Sequence, residues 1–254
     1  MSGTSADGVD VAYLESDGVT IKHVGPHQVI PYSEPFRDKL LTLISAKHGL
    51  EGPPDAAIEE MEVELTSLHA AAVTQFMLEQ NLSFTEIDLV GFHGHTIHHD
   101  PSQGRTVQIG DGARLSSLLD LPVVCDFRSN DVQHGGQGAP LAPVYHAAIF
   151  SATAKPIAVL NIGGVANVTW IGHGADSLLS FDTGPGNALI DDWIRANGAG
   201  NYDDSGKNAA SGCVDNAALE LFCLEPYFSL PPPKSLDRNA FCLDPVQGLS
   251  LADG

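Results

Sequence analysis

Asp182 closes a short apolar run, Leu178 to Phe181, and is followed by Thr183-Gly184-Pro185-Gly186-Asn187. A carboxylate where a strand gives way to a loop sits where reactive side chains gather on a rigid scaffold. Placed within hydrogen-bond reach of a water, it can act as a general base. Upstream, Gly163-Gly164 separates two further apolar runs, Ile157 to Ile162 and Val165 to Ile171. Without Cβ atoms these two residues let backbone approach a ligand closely, and successive N–H groups in such a turn can hold phosphate oxygens. Asn187 opens a stretch with helical spacing at Leu189, Ile190, Trp193 and Ile194. The N-terminus of that helix would add a positive dipole to an anion site beside Asp182. The plainer reading is a β-hairpin with a buried capping Asp, and these residues alone leave both open.

The first ten residues repeat the device. Gly3, Thr4, Ser5, Ala6, Asp7 and Gly8 form a small polar loop, and Val9 and Asp10 begin an alternating run that reaches Leu14. No Lys follows the glycines, so this is not a Walker A loop. It would have to bind phosphate through N–H groups and hydroxyls, with Asp7 or Asp10 near a metal. Taken singly it also reads as an ordinary Ser/Gly/Asp turn. Two glycine turns opening into strands, far apart in the chain, suggest a duplicated architecture gripping one phosphate chain from both sides.

The motifs MSGTSADGVD, GFHGHTIHH, QIGD, DFRSNDVQHGGQGAPL, LNIGGVANV, FDTGPGN and PPPKS occur in that order from Met1 to the tail. In this series the chain resembles the anhydro-N-acetylmuramic acid kinase family. The resemblance implies the actin, hexokinase and heat-shock chaperone ATPase superfold: two α/β lobes with mixed sheets flanked by helices, nucleotide between them. On that pattern residues 1–131 would be the first lobe and residues 132–254 the second, incomplete one. It implies ATP and Mg²⁺ as cofactors, an amino sugar as substrate, a cytoplasmic role in peptidoglycan recycling, and no nucleic-acid or membrane partner; a homodimer is left open. Asp182 would take a proton from water attacking the anomeric carbon of the 1,6-anhydro sugar. The freed bridge oxygen, now O6, would then attack the γ-phosphoryl of ATP. Gly3 to Asp10, with Gly163 and Gly164, would hold the nucleotide phosphates.

Other polar residues fit that site less firmly. Arg128 follows an apolar strand in an Arg-poor chain; its fork suits the sugar's lactyl carboxylate or a phosphate, though it could instead pair with Asp126 or Asp131. His93, His95, His98 and His99 raise a metal reading, because His-x-His puts two rings on one face of a strand. A zinc site needs three or four ligands with outer support, so His93 is better read as lining a sugar pocket, with the others structural or exposed. His134, Gln108, Asp111 and Gln137 are candidate sugar partners. Lys234 reaches an anion or, more simply, water.

The elements that must position these groups alternate between helix and strand. Helices are expected over Ser33 to Lys47 (Phe36, Leu40, Leu43 and Ile44 on one face), Asp55 to Gln80 (Ile58, Met61, Leu65, Leu68, Ala72 and Phe76), Gly112 to Leu119, Leu141 to Phe150 and Val214 to Leu224. Strands are expected over Val9 to Leu14, Leu89 to His93, Val107 to Ile109 and Val123 to Phe127. The Gly-rich stretch Arg128 to Pro140 reads as a crossing between lobes, and Pro226 to Ser235 as a loop. Alternation of this kind defines an α/β protein with a mixed sheet.

Composition narrows the partners. Hydrophobic residues make up 43% of the chain, enough for a packed core. A formal charge of −20 argues against nucleic acid and anionic membranes. A site for anions must therefore be locally positive. No apolar run nears the ~20 residues of a membrane span, and the N-terminus does not read as a signal peptide. The four cysteines lack C-x-x-C spacing, as expected of reduced cytosolic thiols. Against the family pattern the sequence looks like a fragment, without a strand before the phosphate loop and without a C-terminal adenosine loop, so weak ATP binding is expected. The competing expectations are a non-catalytic sugar-binding or interaction module, and another activity of the superfold such as acyl-phosphate or polyphosphate chemistry.

Overall fold

Alternation at Val9 to Leu14 becomes strand β1 (Gly8–Ser16), which pairs antiparallel with β2 (Ile21–Pro31). Between them Asp17 accepts from the N–H groups of Val19 (3.0 Å) and Thr20 (2.7 Å), and Gly18 takes φ 87°. The sequence reading did not anticipate β2, because most of its side chains are exposed and it carries no apolar stripe. The computed structural model describes residues 1–3, 6–45, 56–174, 177–236 and 240–254. Thr4, Ser5, Lys47 and Asp55 lie outside these. The chain divides into two compact units, Met1–Ala139 and Pro140–Gly254.

In the first unit, α1 (Glu34–Ser45) starts where Ser33 Oγ accepts from the N–H of Phe36, and it buries Phe36, Leu40 and Leu43. These pack with Ile58, Met61 and Leu65 of α2 (Ala56–Glu79), with Ala6, and with Ile97 and Ile109 from the hairpin of β4 (His95–Asp100) and β5 (Arg105–Ile109). Farther along α2, Ala70 joins Phe92, Leu115, Leu119 and Leu121 in a second cluster. One long helix thus serves two cores, which is why its buried face is wider than the predicted stripe: Thr66, His69 and Met77 are buried as well. Phe92 belongs to β3 (Val90–Phe92), parallel to β6 (Val123–Cys125), and Leu115 and Leu119 to α3 (Gly112–Leu119). Two expectations are corrected here. Strand β6 stops at Cys125 rather than Phe127, because Asp126 turns into the left-handed region at φ 55°. His93 and His95 do not share a strand face: Gly94, at φ 68°, breaks the chain between β3 and β4. A short helix α4 (Ser129–Gln133) also occupies part of the stretch read as a linker.

In the second unit, β7 (Ile157–Ile162), β8 (Val165–Ile171) and β9 (Leu178–Pro185) form an antiparallel meander. Around it lie α5 (Ala142–Ile149), α6 (Asn187–Ala196) and α7 (Asn216–Cys223), the last capped by Asp215 through the N–H of Ala218 at 2.8 Å. Ala188, Trp193 and Ile194 of α6 are buried, and Ile190, expected inside, is exposed. Trp193 Nε1 donates to the Leu251 carbonyl at 3.0 Å, tying the tail to α6. The protein is α/β, with a correction: among the described residues parallel and antiparallel pairs sit in separate small sheets, not in one mixed sheet.

Two histidines of the first unit are held neutral. His69 and His95 are 2% and 0% exposed, and burial pushes both down to about 4. Their unfolded value is near 6.5, so the unfolded chain binds more protons between those limits. Stability is full above about pH 6.5 and is lost as pH falls toward 4, on the order of 3 kcal/mol for each ring. The midpoint of thermal unfolding is expected to drop steeply across this window, and less steeply in His69→Leu. Equal pH dependence in both proteins would contradict it.

Candidate active site

Asp182 lies inside β9 rather than at its end. It sits opposite Asn167, and Gly184 opposite Ala166, so Thr183 is the extra residue of a β-bulge. The bulge keeps Thr183-Gly184-Pro185 in the sheet, with Thr183 Oγ1 donating to the Ala166 carbonyl at 3.1 Å. Bulges re-aim neighbouring side chains. Gly184 is fixed by packing, since a Cβ there would lie 2.9 Å from the Phe228 ring.

The Pro-rich loop grips Asp182 at three points. Its N–H donates to the Lys234 carbonyl (3.0 Å), its carbonyl accepts from the Tyr227 hydroxyl (2.6 Å), and its Oδ2 accepts from the Leu236 N–H (2.8 Å). Among the described residues no donor reaches Oδ1. Burial raises the carboxyl above the usual Asp value, partly offset by the Leu236 bond. A half-buried carboxylate with one oxygen tied and the other open is equipped to accept a proton. Lys234, partly exposed, turns back on Tyr227: its Nζ donates to the Tyr227 carbonyl at 2.9 Å and lies 4.4 Å from the centre of that ring.

The Gly163-Gly164 turn joins β7 to β8. Its carbonyls accept from the start of α6: Asn187 N–H to Gly163 (2.8 Å), and Gly186 and Ala188 N–H to Gly164 (3.0 and 3.3 Å). Those helix-terminal donors are therefore spent inside the protein, contrary to their expected use on an anion. The N–H groups of Gly163 and Gly164 themselves take part in no turn or loop hydrogen bond among the described residues. Added Cβ atoms at these two positions would meet nothing closer than 3.6 Å, whereas one at Gly186 would strike the Gly163 carbonyl at 2.1 Å. Packing explains Gly186; it does not explain Gly163 and Gly164.

In the N-terminal loop, Ala6 is fully buried at φ 50°, a left-handed backbone that L-residues seldom adopt. Such strain persists where surrounding contacts over-determine it: Ala6 N–H donates to the Gly3 carbonyl (3.0 Å), and Tyr32 N–H to that of Asp7 (3.0 Å). Buried Ser2 joins the loop to β4 by a 2.8 Å bond between its hydroxyl and His95 Nδ1. Gly8 answers to packing, since a Cβ would meet the Ile30 carbonyl at 2.4 Å. Val9 is buried in β1, and Asp7 and Asp10 are exposed.

Arg128 and His93 come together. Arg128 Nε donates to His93 Nε2 at 3.0 Å, and Nη1 to the Gly138 carbonyl at 2.6 Å. Because a guanidinium only donates, His93 Nε2 must be the acceptor. Its proton then sits on Nδ1, facing the Gly94 carbonyl at 3.0 Å. Burial, then the nearby Arg128 charge, lowers the His93 pKa in keeping with that neutral form. Arg128 makes no ion pair with Asp126 or Asp131; Asp126 accepts from Ser129 N–H, and Asp131 from Gly138 N–H. Burial lowers the Arg128 pKa, and its Nη2 group has no partner among the described residues. His99 is near enough to feel its charge, and the Gln137 backbone hydrogen-bonds His99.

The remaining candidates have local duties. Gln108 Nε2 donates to Thr96 and Thr106, while its Oε1 is buried without a partner among the described residues. Asp111 caps α3 through Arg114 N–H at 2.9 Å. Exposed His134 caps α4, its Nδ1 2.7 Å from the Asn130 carbonyl, and the Gln137 side chain is exposed. Sequence reasoning missed Tyr227; the PPPKS motif after it was the available signal.

The fold is that of an α/β protein carrying two glycine-rich turns and a sequestered carboxylate. A family model described as anhydro-N-acetylmuramic acid kinase matches residues 1–249. Proteins named anhydro-N-acetylmuramic acid kinase from Paramagnetospirillum magneticum and Methylobacterium nodulans are each 48% identical to it, over all of this chain and 70% and 71% of their own lengths. One from Rhizorhabdus wittichii is 46% identical, again over the whole chain and 70% of its own. The chain belongs to the anhydro-N-acetylmuramic acid kinase family.

Proposed function

We propose that this protein opens 1,6-anhydro-N-acetylmuramic acid with water and phosphorylates its O6 from ATP, giving N-acetylmuramic acid 6-phosphate during peptidoglycan recycling in the cytoplasm. Family membership favours this enzyme over a non-catalytic sugar-binding module. The observation that carries the mechanism is the state of Asp182: half-buried, raised in pKa, with Oδ2 held and Oδ1 open.

Asp182 takes a proton from water as the water oxygen bonds to the anomeric carbon. The bond from that carbon to the bridge oxygen breaks. The bridge oxygen leaves with its electron pair as O6, attacks the γ-phosphorus, and ADP departs. One proton per turnover passes from Asp182 to solvent.

Residues 1–131 and 132–254 would be two actin-like lobes, each carrying one phosphate segment. Gly163 and Gly164, whose N–H groups take part in no turn or loop hydrogen bond among the described residues and where packing does not demand glycine, suit phosphate oxygens. Gly3, Thr4, Ser5, Ala6, Asp7, Gly8, Val9 and Asp10 would be the other phosphate segment, its last three residues opening β1. The exposed carboxylates of Asp7 and Asp10 suit a hydrated Mg²⁺, which when bound neutralises phosphate charge. Arg128 takes the lactyl carboxylate; His93 holds its guanidinium, and Gln108, Gln137 and His134 are further sugar contacts. No helix among the described residues is long and apolar enough to cross a membrane.

The test is ADP release coupled to sugar consumption. One ADP per anhydro sugar is expected, with little release in its absence. ADP release at the same rate without the sugar would contradict the proposal.

A further inference from the structure

We propose that Tyr227 is the positioning residue for Asp182, and that the segment from Tyr227 to Leu236 is a strap that fixes the direction of the base. The inference rests on the reading of Asp182 as the base.

Strand β9 is the outer strand of its sheet, so the backbone groups of Asp182 that face away from β8 need partners, and the bulge at Thr183 lies directly beside them. The strap supplies them from outside the sheet: the Lys234 carbonyl for the N–H, the Tyr227 hydroxyl for the C=O, and the Leu236 N–H for Oδ2. Tyr227 is in turn held from both ends. Lys234 Nζ binds its carbonyl and sits over its ring. The ring meets Phe228 and Phe241 edge-on, with centroids 6.3 and 6.2 Å away. The hydroxyl therefore reaches Asp182 from a clamped ring, and the peptide plane it holds sets where Oδ1 points. A base displaced by a fraction of an ångström loses rate without losing ligand, because the ground state does not need the proton transfer.

Tyr227→Phe keeps the ring and deletes the donor. It is expected to lower kcat about 10- to 100-fold while KM for sugar and ATP stays within about twofold and the thermal midpoint holds. Lys234→Met, which frees the Tyr227 carbonyl, should lower kcat in the same direction by less. Placed on Asp182→Asn, Tyr227→Phe should cost nothing further, since its effect runs through the missing base. Unchanged kcat in Tyr227→Phe, a full further loss on Asp182→Asn, or a loss matched by a fall in the folded fraction would each overturn the proposal. Asp182→Asn alone reads the underlying assignment. Retained turnover there refutes the base itself, whereas lost turnover beside a silent Tyr227→Phe refutes only the positioning.

Discussion

Asp182→Asn is expected to abolish bridge opening and phosphorylation together while leaving ligand affinity intact. The substrate's O6 is locked in the anhydro bridge and cannot accept phosphate until water has attacked the anomeric carbon. Asn is nearly isosteric and can still accept the Leu236 N–H at its carbonyl oxygen, so the 2.8 Å contact survives. It cannot take a proton. Loss of a general base costs ~10²–10⁴-fold in turnover, and here both steps wait on it, so the upper end is expected. The pH dependence follows from the same carboxyl. Burial raises its pKa, and only the deprotonated form is active, so kcat should fall on the acid side at a pH above the ordinary Asp range. Turnover and affinity measured side by side check this. Near-normal turnover removes Asp182 from the mechanism; affinity lost in parallel makes it structural.

The second large effect is expected at Arg128. A half-buried guanidinium with no carboxylate partner among the described residues, in a chain of formal charge −20, is only partly compensated for its desolvation by neutral acceptors, His93 and the Gly138 carbonyl. His93 and the Gly138 carbonyl use two of its five N–H donors and leave the Nη2 side for a carboxylate. Loss of one charge-assisted pair is worth ~1.5–3 kcal/mol, so Arg128→Ala should raise KM for the sugar by roughly 10- to 100-fold. KM for ATP should move little. Arg128→Lys should rescue poorly, because an ammonium cannot serve His93, Gly138 and a carboxylate in one plane. Steady-state kinetics with each substrate varied in turn checks it; equal shifts in both KM values would count against the sugar-anion role.

Much of this was legible in the residues. The helix α3 and the strand β8 fell where apolar periodicity put them, because each buries a face that its own sequence spells out; β7 also fell on its apolar run, although Leu160 and Ile162 of that run are exposed. Strand β2 did not, since its alternation is mostly solvent-facing. The end of β9 was misplaced because a Thr-Gly-Pro sequence reads as a loop, and only pairing with β8 through a bulge keeps it in the sheet. Lys234 illustrates a different limit. Its two contacts, to the carbonyl and ring of Tyr227, depend on how the Pro-rich loop folds back, and spacing alone carries no sign of it. The pairing of Arg128 with His93 spans 35 positions and is likewise a product of the fold, which brings the ends of two parallel strands together.

The coupled assay run in ¹⁸O-labelled water tests the central claim most directly. If Asp182 directs water to the anomeric carbon and the bridge oxygen becomes O6, the product should carry label on the anomeric carbon alone, with unlabelled O6 and an unlabelled phosphoryl group. Label at O6 or in the phosphoryl group would contradict the account.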